Sequence, residues 1–220
     1  MQLIFTPEIR ENAPQLRVAV VEAEITNGPT PDALWAEITR AEQDVRGTWA
    51  MEDIRHRPAI AAIRRAYKAC GKEPNRYRPS GEALCRRCVK GLELYRTLTV
   101  IDLINLLSMR YGHSIGGFDR DAVSGEVLTV GVGREGEPYE AIGRGPLNIA
   151  GMPVIRDATG GIGTPTSDNE RTKLTPDTTH LLMTVNLYDG GGESWPEMAA
   201  EMQRLLVEYA AAKNIVITEF

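Results

Sequence analysis

Helical and strand-like patterns occupy different parts of this chain of 220 residues. Before Gly112, apolar residues recur at helical spacing in four segments. From Gly116 onward the apolar runs are short, rich in β-branched residues and separated by glycine. Helices and strands that are segregated in this way are typical of an α+β fold. We therefore expect a single α+β domain.

The local patterns predict where the elements lie. Helices are expected over about 31–41, 58–69, 81–90, 100–111 and 195–212, with Ser80 as the cap of the third. Strands are expected over 17–25, 127–130, 139–142, 153–155, 179–187 and 215–218. Residues 160–176 are polar, rich in glycine and without periodicity. A loop of that length inside a domain is usually functional or disordered.

Composition and the first residues indicate the cellular setting. The longest apolar runs, such as 181–183, are far shorter than a bilayer span, which argues against a membrane partner. The N-terminus lacks the basic and apolar regions of a secretory signal. Three cysteines (Cys70, Cys85 and Cys88) are too few for a disulfide framework. We expect a cytoplasmic protein.

Positive charge is concentrated between Arg55 and Arg96, although the net charge of the chain is −5. This stretch holds twelve lysines and arginines and three glutamates. A basic block in an acidic protein suits a polyanionic partner. The alternative is a set of solvated helix faces whose bases meet acids elsewhere in the fold. The residues alone leave both interpretations open.

Two short motifs lack the context that their chemistry requires. Residues 131–136 match GxGxxG, but strand character returns directly afterwards, which favours a glycine-rich hairpin over a dinucleotide site. Cys85 and Cys88 form CxxC inside a helix pattern, and the three histidines complete no recognised zinc spacing. We expect ordinary buried cysteines, no metal and no cofactor.

The densest set of polar groups is the stretch 160–172. Its glycines allow a ligand to approach the backbone, and its serine, threonines and asparagine offer neutral hydrogen bonds. Glu170 beside Arg171 could recognise a hydroxyl, an amine or a carboxylate. The alternative is a solvated loop in which Asp168 and Asn169 form turns.

Five blocks occur in order between about Tyr67 and Leu187. They read Arg78-Pro79-Ser80-x-Glu82-Ala83-Leu84-x-Arg86-Arg87, Val100-Ile101-Asp102-Leu103-x-Asn105, Ile115-Gly116-Gly117-Phe118-Asp119, Ile142-Gly143-Arg144-Gly145-x-Leu147-Asn148-Ile149 and Gly163-Thr164-Pro165-Thr166-Ser167-Asp168-x-Glu170-Arg171-Thr172. In this order they resemble the B3/B4 domain, the tRNA-editing domain of the phenylalanyl-tRNA synthetase beta subunit, which also occurs as free-standing proteins.

The resemblance implies a fold and a pocket. The fold is a B3/B4-like α+β domain with a mostly antiparallel sheet flanked by helices. The pocket hydrolyses tyrosine mischarged on phenylalanine tRNA. Glu170 corresponds to the glutamate that reads the phenolic hydroxyl, Gly161 and Gly163 belong to the neighbouring loop, and Asn105 matches a framework position.

This chain departs from the synthetase at two pocket positions. Gly116 stands where the synthetase has a histidine, and Ile104 stands where it has a threonine. Both residues help to hold the ester and the water in the synthetase. His113, three positions before Gly116, is a candidate to substitute for the histidine.

The leading hypothesis is a free-standing hydrolase that deacylates misacylated tRNA. Glycine-loop amides would stabilise the oxyanion, and Thr164, Thr166 or Ser167 would orient the water. Glu170 and Arg171 would select the amino acid. The bases expected to contact tRNA phosphates near the aminoacylated 3′ end are Arg78, Arg86, Arg87 and Lys90.

Two other functions stay open. One is a non-catalytic module that binds RNA or an amino acid, and the other is a hydrolase of a different amino-acid conjugate. Residues 67–190 are expected to form the B3/B4-like core. Residues 1–66 would pack a strand and helices on that core, and 191–220 would complete it with a helix and a strand.

Overall fold

The computed structural model describes residues 1–192 and 194–220. Its strands are β1 (Gln2–Phe5), β2 (Arg17–Glu24), β3 (Ser114–Asp119), β4 (Val127–Val132), β5 (Glu140–Ala141), β6 (Gly145–Pro146), β7 (Pro153–Arg156), β8 (Gly161–Gly163), β9 (His180–Leu187) and β10 (Lys213–Glu219). Its α-helices are α1 (Pro7–Asn12), α2 (Asp32–Thr48), α3 (Pro58–Ala69), α4 (Ser80–Val89), α5 (Thr99–Tyr111) and α6 (Ser194–Ala210). Among these residues, no helix has the length and apolar character needed to cross a membrane.

Strand pairing builds two four-stranded sheets, and β5 pairs separately with β6. The first sheet has the order β10-β2-β9-β3 and is antiparallel throughout. The second has the order β1-β4-β7-β8, in which β1 and β4 are parallel and the other pairs are antiparallel. The expected α+β fold with mostly antiparallel sheets and flanking helices is confirmed.

The alternating side chains of β2 divide the interior into two apolar cores. Ala19 and Val21 belong to a core shared with α2, α4, α5 and α6. Val18 and Val20 belong to a second core, shared with α3 and the second sheet. Because successive strand residues point to opposite faces, the first sheet lies between the helices on one side and the second sheet on the other.

Several elements differ from the sequence-based expectations. The pattern did not predict β1, α1 or β3, and 160–176 contains β8 and a 3₁₀ helix (Glu170–Thr172) rather than only loop. Glycine is depleted in strands, yet Gly116 and Gly117 lie in β3 because that strand pairs with β9 along its whole length. The N-cap of α4 is Pro79, so the expectation for Ser80 was wrong. Ser80 is the first helical residue, and its N–H donates to the Pro165 carbonyl at 2.8 Å.

The GxGxxG segment is not a dinucleotide site. After β4 the Gly133 N–H donates to the Met152 carbonyl at 2.7 Å, and a turn rather than a helix follows. The expected hairpin was also wrong in its pairing, because β4 pairs with β1 and β7 while β5 pairs with β6.

The two cysteines of the CxxC motif are buried, as expected. Cys85 and Cys88 are both 0% exposed and belong to the helical core. Burial raises the pKa of both thiols, and that of Cys88 reaches about 12. Thiols with raised pKa values are poor nucleophiles and poor metal ligands at neutral pH.

Candidate active site

A cavity of about 210 Å³ lies between α5, β3 and the segment 164–174. Its apolar wall consists of Ile101, Ile104, Ile115, Ile142 and Leu174. Its polar lining consists of Ser80, Asn105, Ser108, Thr164, Ser167, Asp168 and Lys173. Sites for drug-sized ligands are larger, so this volume suits a group the size of an amino acid.

Asp168 is the carboxyl group in the lining of this cavity. Its Oδ2 accepts a hydrogen bond from the Gly117 N–H at 3.1 Å. Burial raises the pKa of Asp168 to about 7, because one backbone donor only partly offsets the loss of water around the carboxylate. A carboxyl group that titrates near neutral pH can act as a general base or acid.

A tight turn over 164–167 presents Asp168 to β3. The Thr164 N–H donates to the Ser167 carbonyl at 3.1 Å, and the Thr164 hydroxyl donates to the same carbonyl at 2.9 Å. The Thr166 hydroxyl lies 2.8 Å from the Tyr67 hydroxyl, and the Ser167 hydroxyl donates to the Asp168 carbonyl at 3.3 Å. The three hydroxyls that the sequence assigned to catalysis therefore make hydrogen bonds within the protein.

Lys173 carries positive charge at the cavity. Its Nζ lies 2.9 Å from Glu170 Oε2, and both side chains are partly exposed. Lys173 lines the cavity and Glu170 does not. Glu170 therefore lies outside the cavity and can influence it only through its ion pair with Lys173.

Two glycines of β3 are tightly packed, and one of them, Gly117, lines the cavity. A Cβ atom on Gly117 would lie 2.5 Å from Ile104 Cδ1, and one on Gly116 would lie 2.6 Å from Phe118 Cζ. Real Cβ contacts are not that short, so no side chain fits at either position with its neighbours as placed. The two departures from the synthetase, Gly116 and Ile104, are therefore part of the local packing.

Four other candidate residues do not line this cavity. Arg171 donates to Asp157 Oδ1 at 2.8 Å and to the Ala122 carbonyl at 3.1 Å. Gly161 and Gly163 belong to β8 in the second sheet, and Thr166 is buried beside Tyr67. The structure thus brings Asn105, Thr164 and Ser167 to the cavity and leaves these four residues outside it.

His113 is also outside the cavity. It is 0% exposed, and among the described residues its ring nitrogens have no hydrogen-bond partner. Burial lowers the pKa of His113, so the ring is neutral at physiological pH. Its position gives no support to the suggestion that it replaces the synthetase histidine.

Much of the basic block is used inside the protein. Glu82 is fully buried, and Arg64, Arg86 and Arg78 surround it at 2.8, 2.8 and 3.6 Å. Arg57 donates to the Met109 carbonyl at 2.8 Å, Lys72 to the Asn148 carbonyl at 2.8 Å and Arg96 to the Thr30 carbonyl at 3.2 Å. These six of the twelve bases therefore have partners within the protein.

Part of the block remains available to a ligand. Lys90 is exposed at the end of α4. The Arg87 guanidinium lies 4.3 Å from the centroid of the Tyr95 ring, and its Nε donates to the Glu93 carbonyl at 2.7 Å. Among the residues expected to contact RNA, Arg87 and Lys90 are thus outside the Glu82 cluster, whereas Arg78 and Arg86 belong to it.

Sequence reasoning missed Asp168, Lys173 and Ser80 as site residues. The sequence pattern marks Asp168 only as a turn former, because nothing local distinguishes a solvated aspartate from one that a distant strand covers. Its partner Gly117 lies 51 residues away in the chain. The one available signal was its position inside the block 163–172 that carries the family resemblance.

The described residues contain no group of three or more His, Cys, Asp or Glu side chains that could hold a metal ion. The polar groups at the cavity suit acid–base and hydrogen-bonding chemistry. Asp168 supplies a group that titrates near neutral pH, and Ser80 and Asn105 supply neutral donors.

Comparison with known proteins agrees with the resemblance in the sequence. The family profile described as the B3/4 domain matches residues 62–192. No curated protein matches the chain. Among solved structures, an N-terminal fragment of the phenylalanyl-tRNA synthetase beta-subunit from Pyrococcus horikoshii is similar, with 14% identity and a TM-score of 0.49. That match covers 99% of this chain and 53% of the fragment, so the chain spans about half of the fragment's length. Because the family profile covers more than half of its residues, this chain belongs to the B3/4 domain family.

Proposed function

We propose that this protein hydrolyses the ester of misacylated tRNA, with the aminoacyl group held in the cavity beside Asp168. The observation that carries the proposal is a carboxyl group whose pKa is about 7 at a cavity the size of an amino acid. Membership of the B3/4 family supports this choice over other ester substrates.

The reaction needs a base, a water molecule and donors for the oxyanion. Ionised Asp168 takes a proton from the water that attacks the carbonyl carbon of the ester. The Ser80 hydroxyl and the Asn105 amide, which line the same cavity, stabilise the negative oxygen of the tetrahedral intermediate. When the ester C–O bond breaks, Asp168 returns the proton to the ribose oxygen, which releases the amino acid and the tRNA.

The hydroxyls of Thr164, Thr166 and Ser167 act as positioning groups in this mechanism. The Thr164 hydroxyl closes the turn that precedes Asp168, the Thr166 hydroxyl ties that turn to Tyr67 of α3, and the Ser167 hydroxyl donates to the Asp168 carbonyl. Glu170 holds the Lys173 ammonium group at the cavity, where it helps to orient the substrate. Arg87 and Lys90 contact RNA phosphates, with a smaller contribution from Arg78, whose side chain is 40% exposed.

The proposal is tested by deacylation of a panel of misacylated tRNAs by the wild type and by Asp168→Asn. The wild-type rate should rise with pH and level off above about 7, because only the ionised carboxylate accepts the proton. Asp168→Asn should lower kcat by about 100-fold or more and remove this pH dependence.

The matched control is Asp177→Asn, which removes the same charge from an exposed position. It should leave the rate on every tRNA unchanged. If Asp168→Asn deacylates the panel as fast as the wild type, or if the wild type deacylates no tRNA in the panel, the proposal is wrong.

A non-catalytic module that binds an aminoacyl group is the second candidate. It is favoured by the engagement of the Thr164, Thr166 and Ser167 hydroxyls in hydrogen bonds within the protein. It predicts that an amino-acid amide raises the melting temperature while no ester is turned over. Ester turnover that depends on Asp168 would exclude it.

A further inference from the structure

A second groove lies next to the cavity, and the mechanism above uses only two of its lining residues, Arg87 and Asn105. Its volume is about 340 Å³, within the range of small-molecule sites. Ala83, Leu84 and Leu94 form its apolar part, and Arg87, Tyr95 and Asn105 are the larger groups with polar atoms.

Tyr95 presents an aromatic ring to solvent in this groove. The residue is 71% exposed, the largest value among the exposed large hydrophobic residues of the described chain. The Arg87 guanidinium lies 4.3 Å from the ring centroid and is held in place by the Glu93 carbonyl. An exposed aromatic ring held by an arginine offers a flat face on which a planar ligand can stack.

The groove and the cavity meet at Asn105. This residue lines both, from its position on α5. A ligand whose amino-acid portion fills the cavity can therefore continue past Asn105 toward Tyr95. The two volumes suit a ligand in two parts, with the smaller part in the cavity beside Asp168.

The charge around the groove suits a nucleic acid. Arg87 lines it, and Lys90, the C-cap residue of α4, lies three residues later and is exposed. Two acids bond to lining residues, Glu42 to the Leu94 N–H and Asp102 to Thr97, but both carboxylates are buried, so the charges exposed at the groove are those of Arg87 and Lys90. Bases that stack on aromatic rings beside lysines and arginines are the general mode of single-stranded RNA binding.

We propose that the groove binds the 3′-terminal nucleobase of the RNA, which stacks on the Tyr95 ring while the aminoacyl group occupies the cavity. This inference rests on the proposed function. Arg87 holds the ring from one side and faces the phosphates, and Asn105 lies between base and amino acid, at the ribose. The protein would then recognise the 3′ end of the RNA and the amino acid attached to it at the same time.

The test is a thermodynamic cycle measured by fluorescence anisotropy. The probe is a labelled single-stranded RNA that ends in adenosine and carries tyrosine through a non-hydrolysable 3′ amide. A second probe is identical but lacks the terminal base. The wild type should bind the second probe about tenfold more weakly or worse, the size expected for one base–aromatic stack. Tyr95→Ala should bind both probes with equal affinity, and Tyr95→Phe should behave as the wild type does.

The control variant is Val216→Ala, on the exposed face of β10, which should retain the wild-type difference between the probes. If Tyr95→Ala keeps that difference, the base does not stack on this ring and the inference fails. Binding is measured without turnover, so this failure is separate from a failure of the hydrolysis assay. A tenfold preference that persists in a protein without ester turnover would support the groove and overturn only the proposed reaction.

Discussion

Glu82 and Asp168 are two carboxyl groups whose contact with water the fold reduces in different ways. Glu82 is fully buried, but three arginines surround it within 3.6 Å. Asp168 has one backbone N–H donor, from Gly117, and its pKa rises to about 7. The first arrangement compensates a buried charge, whereas the second leaves the charge costly at neutral pH.

The difference separates a structural ion cluster from a candidate reactive group. A buried carboxylate with several cations ties together α3, the segment before α4 and α4 itself. A partly buried carboxylate without a paired cation lowers the stability of the fold. Groups that are destabilising in this way are concentrated at functional sites. The two carboxyl groups and the bases around them should therefore respond differently to mutation, pH and salt.

The largest effect is expected from Glu82→Gln. Removal of the carboxylate leaves three arginines around an uncharged group, and breaking a buried pair of this kind costs about 3–5 kcal/mol. Chemical denaturation should show this loss in the free energy of unfolding. Glu135→Gln, at an exposed position, should change it by about 0.5 kcal/mol or less. A cost for Glu82→Gln as small as that of the control would show that water, not Glu82, compensates these arginines.

A pH-dependent effect is expected from Asp168→Asn. The folded-state pKa of about 7 lies above the unfolded value of about 3.9, so the folded protein retains the proton longer. The wild type should therefore lose stability relative to Asp168→Asn as pH rises from about 4 to 7, by up to about 4 kcal/mol. Unfolding curves measured across this range check the sign. Asp177→Asn is the charge-matched control, and curves for Asp168→Asn that run parallel to the wild type would contradict the prediction.

The smallest effect is expected in the salt dependence of RNA binding, which should distinguish exposed bases from the arginines paired with Glu82. Lys90→Gln should reduce the slope of log affinity against log salt by about 1, because an exposed lysine releases one counterion on RNA binding. Arg64→Gln should leave the slope unchanged, since its side chain is 12% exposed and paired with Glu82. The measurement is RNA binding at several salt concentrations. Equal changes in the two variants would mean that the Glu82 cluster itself contacts the RNA.

The long elements were predictable from local patterns. Helices α3, α5 and α6 carry apolar residues at helical spacing, and β9 is a long β-branched and apolar run. These patterns agree with the structure because each element buries the apolar face that the spacing of its own residues creates. The order of the five blocks also identified the family, because the order of motifs along a chain can be compared with that of a known family without a structure.

The short glycine-containing strands could not be predicted in the same way. In β3 and β8 the propensity of glycine opposes strand formation, and pairing with β9 and β7 overrides it. At Gly117 the reason for glycine is tertiary, since a side chain there would meet Ile104 across the cavity wall.

Local patterns and the order of motifs in the chain were sufficient for the α+β class, the family and the polar segment 160–172. Which of these polar groups reach the cavity depends on the folded arrangement. It brought Thr164, Ser167 and Asp168 there with Asn105 and turned Arg171 toward Asp157. The fold also places Arg64, Arg78 and Arg86 in ion pairs with Glu82. The physical reason is that burial and charge pairing depend on neighbours distant in the chain, and these neighbours set both the pKa of an acid and the availability of a base.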